Sequence, residues 1–159
     1  MVLDANDVTI SRFYEFSVIE GFIMKFPDTI LIVDDAIYNR TTLIKLIKKQ
    51  LPNVEIDEAG DGKMSIDLVT HQIGKHQKNY DMIVMDFQMP GLNGQLTTKA
   101  IRQIEQEAKL NDTSKAFIVT WTSQPEYTNK PYAGANTLMN KNSIDDADIT
   151  KVLQIYCSI

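Results

Sequence analysis

The stretch Tyr80–Gly91, YDMIVMDFQMPG, decides the fold that we predict for this chain. Its apolar run, Met82–Met85, has the length of a buried strand and ends abruptly on the carboxylate of Asp86. Pro90 and Gly91 then favour a turn. A carboxylate in this place either caps the strand or provides a reactive group at the carboxyl edge of a sheet. The rest of the chain has to distinguish these two interpretations.

Outward from this stretch, short apolar segments alternate with amphipathic ones from residue 28 to the end of the chain. This alternation predicts repeated βα units, and therefore an α/β fold whose parallel sheet is covered by helices on both faces. We expect a flavodoxin-like, doubly wound, five-stranded parallel sheet with the strand order 2-1-3-4-5. The predicted strands are 29–35, 54–59, 82–86, 117–121 and 137–140.

Helical periodicity and capping signals place helices between these strands. In the first helix the spacing of Ile37, Ile44 and Ile47 predicts that these side chains share its apolar face. The predicted helices are 37–51, 63–73, a long helix introduced by Asn93-Gly94, and a last helix that Ser143 begins with a sequence resembling a capping box. Pro125 and Pro131 fall between the fourth and fifth strands, so we expect a short or irregular fourth helix there.

The composition is that of one ordinary globular domain, with 159 residues of which 43% are hydrophobic and 23% charged. Sixteen basic and 21 acidic residues give a net charge of −5, which argues against a nucleic-acid partner. One cysteine, Cys157, excludes an internal disulfide framework and fits a reducing compartment. The chain starts without a secretory signal, and charges interrupt Val8–Phe26, so we expect a cytoplasmic protein with no membrane partner.

In a doubly wound sheet the functional site lies where the carboxyl ends of strands 1 and 3 meet. This edge collects the carboxylates of Asp34, Asp35 and Asp86, the hydroxyl of Thr122 and the ammonium of Lys141. Carboxylates this close repel one another, and a bound cation removes that penalty. An all-oxygen set suits a hard divalent ion, so the sequence predicts Mg²⁺ as the cofactor.

With a metal in place, one carboxylate is free to act as a nucleophile. Asp86 is central, so we predict that it attacks phosphorus to form an aspartyl phosphate, while Asp34 and Asp35 hold the metal. Charge on the equatorial oxygens of the transferring group needs positive and hydrogen-bonding partners, which Lys141 and Thr122 would supply.

At this point the sequence resembles the receiver domain of two-component response regulators, and most closely the receivers of hybrid histidine kinases. The resemblance covers about residues 28–159, and it rests on several motifs that occur in the order of the family. These motifs are ILIVDD, EAGDGK, MDFQMPGLNG, IVTWTS and GANTLMNK.

The resemblance implies a role for each residue at the edge. Asp86 would accept a phosphoryl group from a phosphohistidine on a histidine kinase or a histidine phosphotransfer protein. Asp34 and Asp35 would hold Mg²⁺ together with Asp86 and the backbone carbonyl of Gln88. Lys141 would bind a phosphoryl oxygen, so the expected function is a phosphoacceptor that switches protein–protein interactions.

Besides Thr122, three positions are expected to modulate this chemistry, namely Ser123, Gln88 and Leu138. Thr122 would move to hydrogen-bond the phosphoryl group, and the small side chain of Ser123 would leave access open. The side chain of Gln88 lies where it can tune water access, and thus the lifetime of the phosphoryl group. The third position, Leu138, stands where the family usually has an aromatic residue whose rotation reports phosphorylation.

The chain departs from the family around that readout. The aromatic part of the switch is absent unless Trp121 or Tyr132 replaces it, and Lys141 is followed by Asn142 instead of the usual proline. These departures favour a second hypothesis, in which the protein is a pseudo-receiver that binds partners and signals without phosphate. The intact acidic set disfavours this hypothesis, because unused neighbouring carboxylates destabilise a fold.

A third hypothesis is that the protein is an enzyme with a related fold. Phosphatases with aspartyl nucleophiles have Asp-x-Asp after strand 1, and FMN-binding flavodoxins have a Ser/Thr/Gly-rich loop there. This chain has DDAIYN at that position. We therefore expect no enzyme acting on an external metabolite, only self-phosphotransfer and autodephosphorylation. Residues 1–27 form an extension of unknown role outside the receiver domain, 28–159. Homodimerisation, and whether the chain is a piece of a hybrid kinase, stay open.

Overall fold

The computed structural model describes residues 24–124, 131 and 134–159. In chain order the elements are β1 (Thr29–Val33), α1 (Ile37–Gln50), β2 (Glu55–Ala59), α2 (Gly62–His76), β3 (Met82–Asp86), α3 (Gly94–Glu107), β4 (Phe117–Thr122), β5 (Thr137–Asn140) and α4 (Asp146–Cys157). A 3-10 turn, Asp112–Ser114, precedes β4. The predicted fourth helix, Tyr132 and residues 1–23 of the extension lie outside the described residues.

The five strands form one parallel sheet in the order β2-β1-β3-β4-β5, which confirms the predicted topology. All five residues of β3 are buried, as expected of a central strand covered on both faces. Ile32 and Val84 face the core beneath α1 and α4, whereas Val33 and Ile83 face the core beneath α2 and α3. This alternation fixes which side chains point to each layer.

One local prediction about the helices was wrong. The last helix begins after Asp145, not at Ser143, because the Asp145 carboxylate accepts the Asp148 N–H at 3.0 Å and the Asp148 carboxylate accepts the Asp145 N–H at 3.1 Å. This reciprocal pair satisfies two backbone donors that Ser143 does not reach.

The apolar face of α1 is buried along only part of the helix. Ile37 is 70% exposed, and the buried residues of this helix are Leu43 and Ile47. Helical spacing shows which residues share a face, but not where along the helix that face meets the sheet. Here burial begins only at Leu43, so the first turn of α1 leaves Ile37 in solvent.

Asp81, the residue before β3, binds the backbone at the start of β1 through its side chain. Its buried carboxylate accepts the backbone N–H groups of Asp28 at 2.9 Å and Thr29 at 3.1 Å, and it pairs with the ammonium of Lys78. Burial alone would raise the pKa of Asp81, but these donors together hold the pKa below its ordinary value. Asp81 is therefore a structural carboxylate.

Glu105 on α3 is a second buried structural carboxylate. One of its oxygens accepts hydrogen bonds from the Asn79 side-chain amide and the Ala116 N–H, both at 2.7 Å. The other oxygen accepts from the Arg102 guanidinium at 2.7 Å. These bonds join α3 to the segments that lead into β3 and β4.

We expect Glu105→Gln to lower the free energy of unfolding by about 1–2 kcal/mol, because the amide keeps one acceptor oxygen but loses the charge that pairs with Arg102. Urea denaturation measures the difference. Glu107→Gln, an exposed change on the same helix, is the matched control and should shift stability by less than about 0.5 kcal/mol. If the two changes lowered the free energy of unfolding equally, the buried hydrogen bonds of Glu105 would not contribute to stability beyond an exposed carboxylate.

Candidate functional site

The carboxyl edge of the sheet brings three predicted carboxylates together. Asp34 and Asp35 follow β1, and Asp86 ends the neighbouring strand β3. One oxygen from each lies within 4.8 Å of the others. Asp34 and Asp86 are buried, whereas Asp35 is exposed. The adjacency of β1 and β3 thus produces the convergence that the strand order predicts.

Local hydrogen bonds orient the two buried carboxylates. The first oxygen of Asp34 accepts the Ala36 N–H at 2.8 Å and the side-chain amide of Asn39 at 3.1 Å. Asp86 accepts the N–H of Gln88 at 3.1 Å. Asn39 is absent from the sequence-based site; its signal, an amide in the first turn of the helix after the acidic pair, is visible in the sequence.

Lys141 bridges these carboxylates from the end of β5. Its Nζ lies 2.5 Å from Asp34 Oδ2 and 2.7 Å from Asp86 Oδ1. The Lys141 N–H donates to the carbonyl of Thr122 at 2.9 Å, which ties the start of the lysine loop to the end of β4. One ammonium therefore contacts two buried carboxylates.

The indole ring of Trp121 faces the same ammonium. Lys141 Nζ lies 4.8 Å from the centroid of this ring, which is 2% exposed. Trp121 is therefore part of the core below the site. Leu138, at the position usually occupied by an aromatic residue, is half-buried.

Thr122 ends β4, and Ser123 and Gln88 lie in the segments that follow β4 and β3. The hydroxyl of Thr122 is buried and accepts the N–H of Gln124 at 3.1 Å. The side-chain amide of Asn142 donates to the carbonyl of Ser123 at 2.8 Å, so the residue that replaces proline ties the two loops together. Gln88 is exposed and donates to Gln124 through its side chain at 3.4 Å.

The first turn of α3 presses against the backbone of Asp86. Gly94 donates its N–H to the carbonyl of Phe87 at 3.0 Å, and a Cβ on Gly94 would lie only 2.0 Å from the carbonyl oxygen of Asp86. Asn93 caps this helix through its side chain, which accepts the Leu96 N–H at 2.9 Å. The position of the Asp86 backbone therefore depends on a residue without a side chain.

The pKa of Asp86 is raised from 3.8 to about 6, because burial and the charge of Asp34 together outweigh the lowering effects of Lys141 and the Gln88 N–H. Among the described residues, three carboxylates therefore face one ammonium, that of Lys141. Three convergent carboxylates are hard oxygen donors, and they fit a Mg²⁺ ion.

Comparison with known proteins agrees with this fold. The family described as the response regulator receiver domain matches residues 30–154, and the chain therefore belongs to that family. A two-component response regulator from Arabidopsis thaliana is 31% identical over 127 residues, which are 80% of each chain. Hybrid signal transduction histidine kinase K from Dictyostelium discoideum is 35% identical over 82 residues, which are 52% of this chain but 6% of the kinase.

Solved receiver domains share the fold. The receiver domain of the histidine kinase CKI1 from Arabidopsis thaliana, complexed with Mg²⁺, has a TM-score of 0.63 at 21% identity, covering 79% of this chain and 90% of that one. The receiver domain of Ssk1 from Saccharomyces cerevisiae, solved with the histidine phosphotransfer protein Ypd1, has a TM-score of 0.66 at 22% identity, covering 84% and 92%. Within the described part of this chain, no helix is long and apolar enough to cross a membrane.

Proposed function

We propose that this receiver domain takes a phosphoryl group from a phosphohistidine onto Asp86, with Mg²⁺ as cofactor, and thereby switches protein–protein interactions in the cytoplasm. The observation that carries the proposal is the joint placement of three carboxylates and Lys141 at one edge. Asp86 is buried beside a second carboxylate, yet among the described residues it pairs with one ammonium and accepts one backbone N–H. A structural carboxylate such as Asp81 is supplied with more donors than this.

The transfer is a balanced displacement at phosphorus. A carboxylate oxygen of Asp86 forms the new O–P bond, the P–N bond of the phosphohistidine breaks, and its electron pair leaves with the imidazole nitrogen. The acceptor must be ionised, and a pKa near 6 leaves the Asp86 carboxylate charged at neutral pH. We expect no turnover of an external metabolite beyond this transfer and the later hydrolysis of the acyl phosphate.

The other residues of the edge stabilise the transferred group. Lys141 already contacts Asp86 and would bind a phosphoryl oxygen by a short movement of its ammonium. Thr122 would exchange its hydrogen bond with the Gln124 N–H for one to the phosphoryl group. Asp34 and Asp35, with Asp86 and the Gln88 carbonyl, would hold Mg²⁺, which supplies positive charge beside the phosphoryl oxygens when bound.

The surface around the edge suits a protein donor. The described part of the chain has five large apolar side chains that are strongly exposed, and four of them lie in the first three residues of α1, α2 or α3, beside the acidic site. These four are Ile37, Tyr38, Met64 and Leu96. An apolar rim around a reactive group fits a protein partner, and the Ssk1 receiver was solved with a phosphotransfer protein. A histidine kinase or phosphotransfer protein is the partner we propose.

Incubation with acetyl phosphate and Mg²⁺ tests the proposal, because this small donor needs no partner protein. Intact-mass spectrometry should show the gain of one phosphoryl group that is stable in acid and lost in alkali. Asp86→Ala should show no gain, whereas Asp67→Ala, which removes an exposed carboxylate on α2, should label like wild type. Absence of labelling in wild type, or equal labelling of Asp86→Ala, would contradict the proposal.

A pseudo-receiver is the second candidate, and one observation favours it. Asn142 bonds the Ser123 carbonyl and so restrains the loop that carries Thr122, the residue expected to move. If the protein signals without phosphate, Asp86→Asn should bind the partner and signal as wild type does. Loss of both in that variant would exclude this candidate.

A further inference from the structure

The contact between Trp121 and Lys141 joins the core to the reactive edge. The Lys141 side chain is 15% exposed and the indole is 2% exposed, so the ammonium and the ring meet with little water between them. The distance from Nζ to the ring centroid, 4.8 Å, is within the range in which an aromatic face attracts a cation. This attraction strengthens as the pair is desolvated.

The indole N–H does not account for the tryptophan at this position. Trp121 Nε1 is buried and finds no hydrogen-bond partner among the described residues, which is unfavourable for a donor. The core around it, which includes Met139 and Ile149, could be filled by an aliphatic side chain. The face of the ring is therefore the part of Trp121 that an aliphatic residue would not supply.

Trp121 also fixes the backbone beside the acceptor. It is paired with Asp86 across the β3–β4 register, and its carbonyl accepts the Phe87 N–H at 3.0 Å. Trp121 thus pairs with the strand that carries Asp86, and its ring faces the Lys141 ammonium that contacts Asp86. Lysine has a flexible stem, so an attractive surface beneath its ammonium limits the positions that it visits.

We propose that Trp121 is a positioning residue, whose ring keeps the Lys141 ammonium at the carboxyl edge while Asp34 and Asp86 change partners. The two carboxylates now hold the ammonium at 2.5 and 2.7 Å, and both would be engaged elsewhere if they held a metal ion and the phosphoryl group. The ring is then the contact that does not change. This inference rests on the proposed function, in which Lys141 binds a phosphoryl oxygen.

Two substitutions separate the ring face from simple packing. Trp121→Leu keeps an apolar side chain without an aromatic face, and we expect it to slow labelling by acetyl phosphate about tenfold at a fixed Mg²⁺ concentration. Trp121→Phe keeps an aromatic face and should stay within about threefold of wild type. In a Lys141→Met background, Trp121→Leu should cause no further loss of rate.

Val119→Ala is the matched control for a loosened core. Val119 lies two residues earlier on the same strand and packs in the same layer as Trp121. This change should lower the midpoint of thermal unfolding and leave the labelling rate unchanged. If Trp121→Phe is as slow as Trp121→Leu, or if the loss persists without Lys141, Trp121 acts through packing alone and the proposal is overturned.

The NMR signals of the Lys141 εCH₂ group, assigned with Lys141→Met, provide a readout without phosphorylation. A ring beneath the ammonium should shift these signals upfield in wild type and Trp121→Phe, and the shift should vanish in Trp121→Leu. An unshifted wild-type signal would overturn the proposal. If wild type does not label at all, the function proposed above fails, while the NMR shift still decides whether the ring holds the lysine.

Discussion

Gly94→Ala should destabilise the protein by about 3 kcal/mol or more and abolish most of the labelling of Asp86. The added Cβ would lie 2.0 Å from the Asp86 carbonyl oxygen and 2.9 Å from the Phe87 Cα. Both atoms belong to the backbone, so the strand or the helix must move, and overpacking of this kind is at the costly end of its range. Urea denaturation measures the stability, and mass spectrometry measures the labelling.

Gly74→Ala is the control for this change. Gly74 lies within α2, where an added Cβ meets nothing within 4 Å, so the substitution should stabilise the protein by about 0.5–1 kcal/mol. If Gly94→Ala were as stable as wild type, the close approach of α3 to Asp86 would not exist in solution.

Asp86→Asn should be about 3 kcal/mol more stable than wild type at pH 7.5 in the absence of divalent ions. Burial raises the pKa of Asp86 from 3.8 to about 6, so the folded protein holds this proton to a higher pH than the unfolded chain does. The stability that wild type has below pH 4 is therefore lost as the pH rises through 6. The difference between these pKa values corresponds to about 3 kcal/mol, and asparagine does not titrate.

Urea denaturation from pH 4 to pH 7.5 in EDTA tests this linkage. The two proteins should converge in stability near pH 4 and diverge above it, and Mg²⁺ should stabilise wild type more than the variant. Asp67→Asn, which removes an exposed carboxylate from α2, should leave the pH profile of wild type unchanged. Parallel profiles for wild type and Asp86→Asn would contradict the linkage.

The sheet is the part of the molecule that the sequence predicts best. Apolar runs that end on a carboxylate or a polar residue locate β1, β3 and β5, and the strand order then places Asp34 beside Asp86. These inferences succeed because burial on both faces requires a continuous apolar strand, a pattern visible in one short segment.

Features that depend on distant packing were less predictable. The exposure of Ile37 reflects where the sheet ends beneath α1, and the cap at Asp145 competes with an equally plausible serine two residues earlier. The contact of Trp121 with Lys141 joins residues twenty positions apart on different elements. Nothing in the local sequence records such a contact, because it follows from the register of β4 and β5.

Two buried aspartates, Asp81 just before β3 and Asp86 at its end, differ in their hydrogen-bond donors. Asp81 precedes it and is saturated by backbone N–H groups and Lys78, whereas Asp86 ends it with fewer donors and a raised pKa. Both are buried aspartates, five residues apart. An electrophile can therefore distinguish the two carboxylates without recognising the sequence around them. If Asp86 accepts the phosphoryl group as proposed, this selectivity would follow from the hydrogen-bond donors, which among the described residues are more numerous at Asp81 than at Asp86.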